Sequence, residues 1–149
     1  MKDRALIREY TIHDKEILIN ILKSNVPQYF DETEIEDYKE YLDNKIEKYF
    51  VIEQDDKIIG AGGINFSSDM KIGKISWDFI QVDYHGKGLG KQLLDHRIQL
   101  LKSINTLEQI TVRTSQFAYK FYEKQGFKLL EIKKDFWANG IDLYFMKLE

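Results

Sequence analysis

The chain has 149 residues, 43% hydrophobic and 32% charged, which suits one globular domain spanning residues 1–149. It has no cysteine, which excludes disulfides, zinc–thiolate centres and a cysteine nucleophile and fits a reducing compartment. The net charge of −3 divides unevenly: residues 1–60 hold 15 Asp+Glu against 9 Lys+Arg, and residues 61–149 hold 10 against 13, a mild basic excess that lacks the dense basic face of a nucleic-acid binder. An acidic half beside a basic half suits a cationic substrate and an anionic cofactor. No apolar run approaches the ~20 residues of a membrane span. Met1-Lys2-Asp3-Arg4 leads into an amphipathic segment rather than a signal core, so a soluble, cytoplasmic protein without membrane or nucleic-acid partners is expected, as a monomer or homodimer.

Leu6–Tyr10 alternates apolar and polar residues and predicts a first strand. Asp14 is placed to cap a helix over 15–23, with Ile17, Leu18, Ile21 and Leu22 on one face. Pro27, the only proline, interrupts the chain, and helical spacing resumes over 31–48 at Ile35, Tyr38, Tyr41, Leu42 and Ile46. Strands follow over 49–53, 57–66 and 71–82, joined by turns at Gln54-Asp55-Asp56 and Ser67-Ser68-Asp69, an antiparallel meander. A helix over 88–103 carries Leu89, Leu93, Leu94, Ile98 and Leu101 inward. A strand over 109–114, a short helix over 117–124 stopped by Gly126, and strands over 128–134 and 141–148 around Asn139-Gly140 complete an α/β chain with a mixed sheet.

The third strand of the meander feeds directly into His85-Gly86-Lys87-Gly88-Leu89-Gly90 and a helix. Closely spaced glycines let backbone approach a ligand, and the unpaired N–H groups of a helix N-terminus face an anion favourably. Lys87 and Lys91 add positive charge. This pattern predicts a phosphate-bearing ligand. It is not a P-loop, because Gly90-Lys91 is followed by Gln92, nor the dinucleotide fingerprint, because the spacing is G-x-G-x-G.

The spacing resembles the acyl-CoA signature Q/R-x-x-G-x-G/A of the GNAT acetyltransferase superfamily, with Gly88 and Gly90 at its glycine positions and His85 where Gln or Arg is usual. A second segment, Ala118-Tyr119-Lys120-Phe121-Tyr122-Glu123-Lys124-Gln125-Gly126-Phe127, is similar to the family's A-x-x-x-Y-E-K-x-G-F helix. Ile7-Arg8, Ile58-Ile59-Gly60 and the order of elements extend the resemblance along nearly the whole chain.

The resemblance implies a central mixed sheet of about seven strands flanked by helices, and transfer of an acetyl group from acetyl-CoA to a primary amine, with no metal. It assigns cofactor binding to Ile80, Gln81, Val82, His85, Gly86, Lys87, Gly88, Leu89, Gly90 and Lys91. Ser115, at the place of a common family asparagine, its neighbour Gln116, and Tyr119 join them along the pantetheine arm. The arm would pair with backbone around Ile80 and Val82, and an N–H near Ile80 would receive the oxyanion.

Tyr122 is implied as the proton donor to the departing sulfur. Strand alternation puts Asp78, Ser76 and Lys74 on one face with Ile80, and Asp78, the only carboxylate among them, is the candidate base; a water chain is the alternative. Thr111 stands where some family members carry a carboxylate. His13 and His96 read as surface residues. The run Asp31–Glu47 holds eight carboxylates against Lys39 and Lys45, beside Tyr29, Phe30, Tyr38 and Tyr41, with Phe136-Trp137 in the final hairpin loop, a surface suited to an amine or polyamine; the size of the chain favours a small amine. Two other readings stay open: a catalytically idle domain that binds or senses acyl-CoA, and nucleotide binding without CoA.

Overall fold

The computed structural model describes residues 5–149; the opening Met1-Lys2-Asp3-Arg4 lies outside them. Seven strands, β1 (Leu6–Glu9), β2 (Lys48–Gln54), β3 (Lys57–Phe66), β4 (Ile72–Ile80), β5 (Gln109–Thr114), β6 (Phe127–Ala138) and β7 (Ile141–Leu148), form one sheet in the order β1-β2-β3-β4-β5-β7-β6. Only β4 and β5 are parallel, and the crossover between them carries the helix such a pair requires, α3 (Leu89–Lys102). The other helices are α1 (Lys15–Lys23), α2 (Glu34–Asn44) and α4 (Tyr119–Lys124). No helix among the described residues is long and apolar enough to cross a membrane.

The alternation of β2 divides the core in two. Tyr49 and Val51 pack with Leu18, Leu22, Tyr38 and Leu42 of α1 and α2. Phe50 and Ile52 point the other way, among Leu89, Leu93, Leu94 and Leu101 of α3.

Several boundaries differ from the sequence expectation, each for a local reason. Helix α2 starts at Glu34 because the residues before it form its cap: Asp31 accepts the Thr33 N–H at 2.9 Å, and Glu34 reaches back to the Asp31 N–H at 2.9 Å. Asp14 precedes α1 but does not cap it; its carboxylate turns back to the Thr11 N–H and the Arg8 guanidinium, and Arg8 holds it below the usual carboxylate range. Strand β4 ends at Ile80 and passes into a short 3-10 turn at Val82–Tyr84. Strand β6 runs to Ala138, so Phe136 and Trp137 are strand residues rather than loop residues, and the turn at Asn139-Gly140 is tight, with Gly140 at φ +84°.

The feature that positions the site is a bulge in β4. Ala61 faces Phe79 and Gly63 faces Ser76, so Trp77 and Asp78 together oppose Gly62. Trp77 adopts φ +42°, a left-handed conformation uncommon for a bulky side chain. The extra residue shifts the phase of alternation. Asp78 shares the α3 side of the sheet with Ile75 and Ile80, whereas Ser76, near the Tyr41 hydroxyl, and Lys74 lie on the opposite side. The single face expected for Asp78, Ser76 and Lys74 is therefore corrected.

The bulge is held from both sides. On the α1/α2 side, the Tyr49 hydroxyl donates to the Trp77 carbonyl at 2.7 Å and accepts from Tyr38 at 2.9 Å. Burial pushes both phenols above their ordinary range, so both keep the protons they donate. On the α3 side lies Arg97, 0% exposed. Its Nη2 donates to Asp78 Oδ2 at 2.7 Å, its Nη1 to the Gly63 carbonyl at 3.1 Å and its Nε to the Leu93 carbonyl at 3.2 Å. Gly62 makes room for this: a Cβ there would lie 2.8 Å from both Arg97 Cζ and Asp78 Cβ.

Gly62→Ala is accordingly expected to overpack the pair and lower the unfolding free energy by about 1–3 kcal/mol, read from urea denaturation; an unchanged midpoint would contradict this account of the glycine. Arg97→Met keeps an apolar stem but leaves Asp78 without its cation, at a cost of roughly 3–5 kcal/mol for a broken buried pair. Because the Asp78 side chain is 23% exposed, the lower end of that range is expected, and adding Asp78→Asn should recover part of the loss.

Candidate active site

The β4–β5 ladder runs only from Ile72↔Gln109 to Ile75↔Val112. Beyond it, β4 continues to Ile80 while Arg113 and Thr114 of β5 stay with Phe145 and Tyr144 of β7. The two parallel strands therefore splay apart just where β4 bulges. The gap opens into a cleft of about 1040 Å³ walled by α2, β4, the glycine turn, β5 and α4.

Ile80 presents its backbone to this gap. Gln81 donates to the Ile59 carbonyl at 2.7 Å, which makes 59 and 81 a hydrogen-bonded pair. Ile80, opposite Gly60, then belongs to the next, non-hydrogen-bonded pair, and its N–H and C=O point away from β3. The carbonyl is taken by Asn25 Nδ2 at 3.2 Å and His85 Nε2 at 2.7 Å. A carbonyl only accepts, so Nε2 carries the imidazole proton. The Ile80 N–H remains directed at the gap.

The glycine turn stands at one end of the cleft. Gly86 and Gly88 adopt φ +78° and +79°, and a Cβ on either would meet nothing within 4 Å, so backbone conformation rather than crowding calls for glycine. Gly88 is the residue before α3 and supplies no side-chain cap. The N–H groups of the first turn, at Leu89, Gly90 and Lys91, have no carbonyl one turn earlier in the helix to bond, and these residues line the cleft. This open cradle, at the positive end of a helix, suits a phosphate-bearing ligand. Lys91 lines it while paired with Asp95 at 2.7 Å.

A connected polar cluster reaches the cleft through Tyr122 and Asp78. The Tyr122 hydroxyl, from α4, lies 2.7 and 2.6 Å from the two Asp78 oxygens and donates to them. Burial, followed by the negative charge of Asp78, pushes the Tyr122 phenol well above its ordinary value. Asp78 is held in turn by Arg97. Sequence reasoning missed Arg97. Its signal was present: Leu89, Leu93, Arg97 and Leu101 recur every fourth residue, so a lone charge sits in the apolar stripe of α3 and needs a buried partner.

The cleft gathers most of the expected site residues: Asp78, Ile80, His85, Gly86, Gly88, Leu89, Gly90, Lys91, Ser115 and Tyr122 all line it. Gln81, Val82, Lys87 and Tyr119 do not. Gln81 and Val82 spend backbone groups on Ile59 and His85, Lys87 is exposed, and Tyr119 packs its ring on Tyr144, 4.6 Å between centroids. Ser115 Oγ accepts the Phe117 N–H, and Gln116 ties the turn to the Gly140 carbonyl and the Asp142 N–H. On the acidic side, Tyr29, Phe30 and Tyr41 line the cleft with Glu34, whereas Tyr38 is a core residue. His13 and His96 are exposed.

Residues 12–149 match the model of the acetyltransferase (GNAT) domain. The chain is 27% identical to an N-alpha-acetyltransferase of Sulfurisphaera tokodaii, covering 94% of this chain and 90% of that one. A structure from Desulfovibrio desulfuricans assigned to the GNAT family of acetyltransferases superposes with a TM-score of 0.82 at 18% identity, over 98% of this chain and 99% of that one. An aminoglycoside 6′-N-acetyltransferase complexed with coenzyme A superposes with a TM-score of 0.76 at 14% identity, over 95% of each chain. The two structures speak for the fold alone; with the domain match spanning nearly the whole length, the chain belongs to the GNAT acetyltransferase family.

Proposed function

We propose that the protein transfers an acetyl group from acetyl-CoA to the primary amine of a small acceptor by direct attack. The observation that carries this reading is the single cleft that joins an uncapped helix N-terminus, an unpaired strand edge at Ile80 and a buried tyrosine held by a carboxylate. The first end suits the phosphates of the donor, with Gly86, Gly88, Leu89, Gly90 and Lys91 around them. The strand gap suits an extended pantetheine arm, bonded like an added strand.

Each chemical need except removal of the amine proton then has a residue. The amine nitrogen forms a bond to the acetyl carbon, and the Ile80 N–H stabilises the oxyanion that results. The C–S bond breaks as the oxyanion collapses, and the Tyr122 hydroxyl turns its single proton from Asp78 to the departing sulfur, donating one hydrogen bond to it. A thiol of ordinary acidity, near pKa ~8.5, is a stronger acid than a phenol raised above ~10, so full transfer of the Tyr122 proton is uphill and hydrogen bonding is favoured. In this reading Asp78 orients Tyr122 and does not deprotonate the amine, because Tyr122 and Arg97 already engage its oxygens. The amine proton leaves through water in the open cleft.

Steady-state turnover of acetyl-CoA against a panel of primary amines tests the reading. Tyr122→Phe should lower kcat roughly 10²-fold, the order expected for one lost donor at a reacting atom, while leaving acetyl-CoA affinity by calorimetry within about threefold. Wild-type turnover retained in Tyr122→Phe would remove the tyrosine from the chemistry. Tight acetyl-CoA binding by wild type with no turnover on any amine would instead favour an idle acyl-CoA-binding domain.

A further inference from the structure

One buried charge in the cleft is not used by that chemistry. Glu34, in the first turn of α2, is 7% exposed and lines the cleft beside Phe30, Tyr41 and Trp77. One of its oxygens accepts the Asp31 N–H, which is the back-bond of a helix cap. A cap needs only that oxygen and is found on exposed helix ends; it does not account for a carboxylate buried at a cleft wall.

The surroundings of Glu34 act mainly in one direction, opposed by the Asp31 N–H that it accepts. Burial is the largest influence and raises its proton affinity, and the charges that reach it, Asp31 and Asp37, are negative and raise it further. No cation contributes. Among the described residues, no Lys or Arg forms an ion pair with Glu34. Lys74 and Arg113 also line the cleft, but from β4 and β5; Arg113 rests over the rings of Phe136 and Trp137, 4.9 and 5.5 Å from their centroids. An unpaired buried carboxylate is costly, and a bound cation relieves that cost. The adjoining wall is aromatic: Phe30 stacks on Trp77 at 6.2 Å, and Tyr41 lies 6.2 Å from Trp77. Ring faces and a carboxylate together favour an alkylammonium over a neutral or anionic group.

A cation held there stays protonated, because a negative field stabilises the charged form of an amine. A protonated nitrogen has no lone pair with which to attack. The group at Glu34 and the nitrogen that is acetylated are thus different nitrogens. Resting on the acetyltransferase reading above, we infer that Glu34 binds a second ammonium of the acceptor, and that the acceptor is a diamine or longer polycationic alkylamine.

Matched amines test this: 1-aminobutane against 1,4-diaminobutane and its longer α,ω-homologues, with wild type and Glu34→Gln. Glutamine serves equally in the cap, so the fold is expected to keep its melting temperature. Wild type should show a KM for the best diamine at least about tenfold below that of the monoamine. Glu34→Gln should raise the diamine KM about tenfold or more, leave kcat within about threefold and leave the monoamine unchanged. Equal KM values for the two amines, or a fall in kcat for both at constant KM, would overturn the inference; the latter would mark Glu34 as a base. If wild type acetylates neither, the transfer reading fails separately, and calorimetry of diamines on the acetyl-CoA complex decides the role of Glu34. Binding lost in Glu34→Gln then supports the cation site, and no binding overturns it.

Discussion

The cleft depends on the extra residue that Trp77 and Asp78 introduce opposite Gly62. Without it, strict alternation would send the residue now at Asp78 toward α1 and α2, and no carboxylate from β4 would meet Tyr122. The bulge also coincides with the end of the β4–β5 ladder at Ile75↔Val112. A bulge bends and twists its strand, so one local irregularity turns Asp78 and accompanies the departure of β4 from β5.

Such an irregularity survives only if its surroundings over-determine it. Here they do so by chemistry of two kinds. Two buried phenols in series fix the Trp77 carbonyl from one side, and a buried guanidinium fixes Asp78 from the other. Arg97 is itself acceptable in the core because three acceptors on three segments satisfy it: Leu93, Gly63 and Asp78. Gly62 is the space that permits the arrangement. The catalytic tyrosine of the proposed mechanism therefore takes its position from residues that touch no substrate.

Much of this architecture is legible in the sequence. Period-two and helical patterns locate nearly every element, because burial on one face is a local, repeating demand. The glycine turn is legible for a similar reason: positive φ at Gly86 and Gly88 is a property of single residues. The bulge is not, since nothing in Ser76-Trp77-Asp78 marks an inserted residue; contacts from Tyr49 and Arg97, distant in sequence, create it. The facing of Ser76 and Lys74 is misjudged as a direct consequence. His85 reads as a ligand contact by position, yet its ring closes on the Ile80 carbonyl. Tyr119 shares a helix with Tyr122, but α4 is only six residues long and turns the two rings to different neighbours.

The central claim is that Asp78 acts through the Tyr122 hydroxyl. A double-mutant cycle on kcat/KM for acetyl transfer, using Tyr122→Phe, Asp78→Asn and the pair, measures this most directly, since asparagine keeps the shape of the side chain and an oxygen for Arg97. The account predicts that the double variant is no slower than Tyr122→Phe alone, within about threefold, because a carboxylate with no hydroxyl to orient has nothing further to lose. Losses that multiply would show that Asp78 serves the reaction independently, as a base for the amine, and would contradict it.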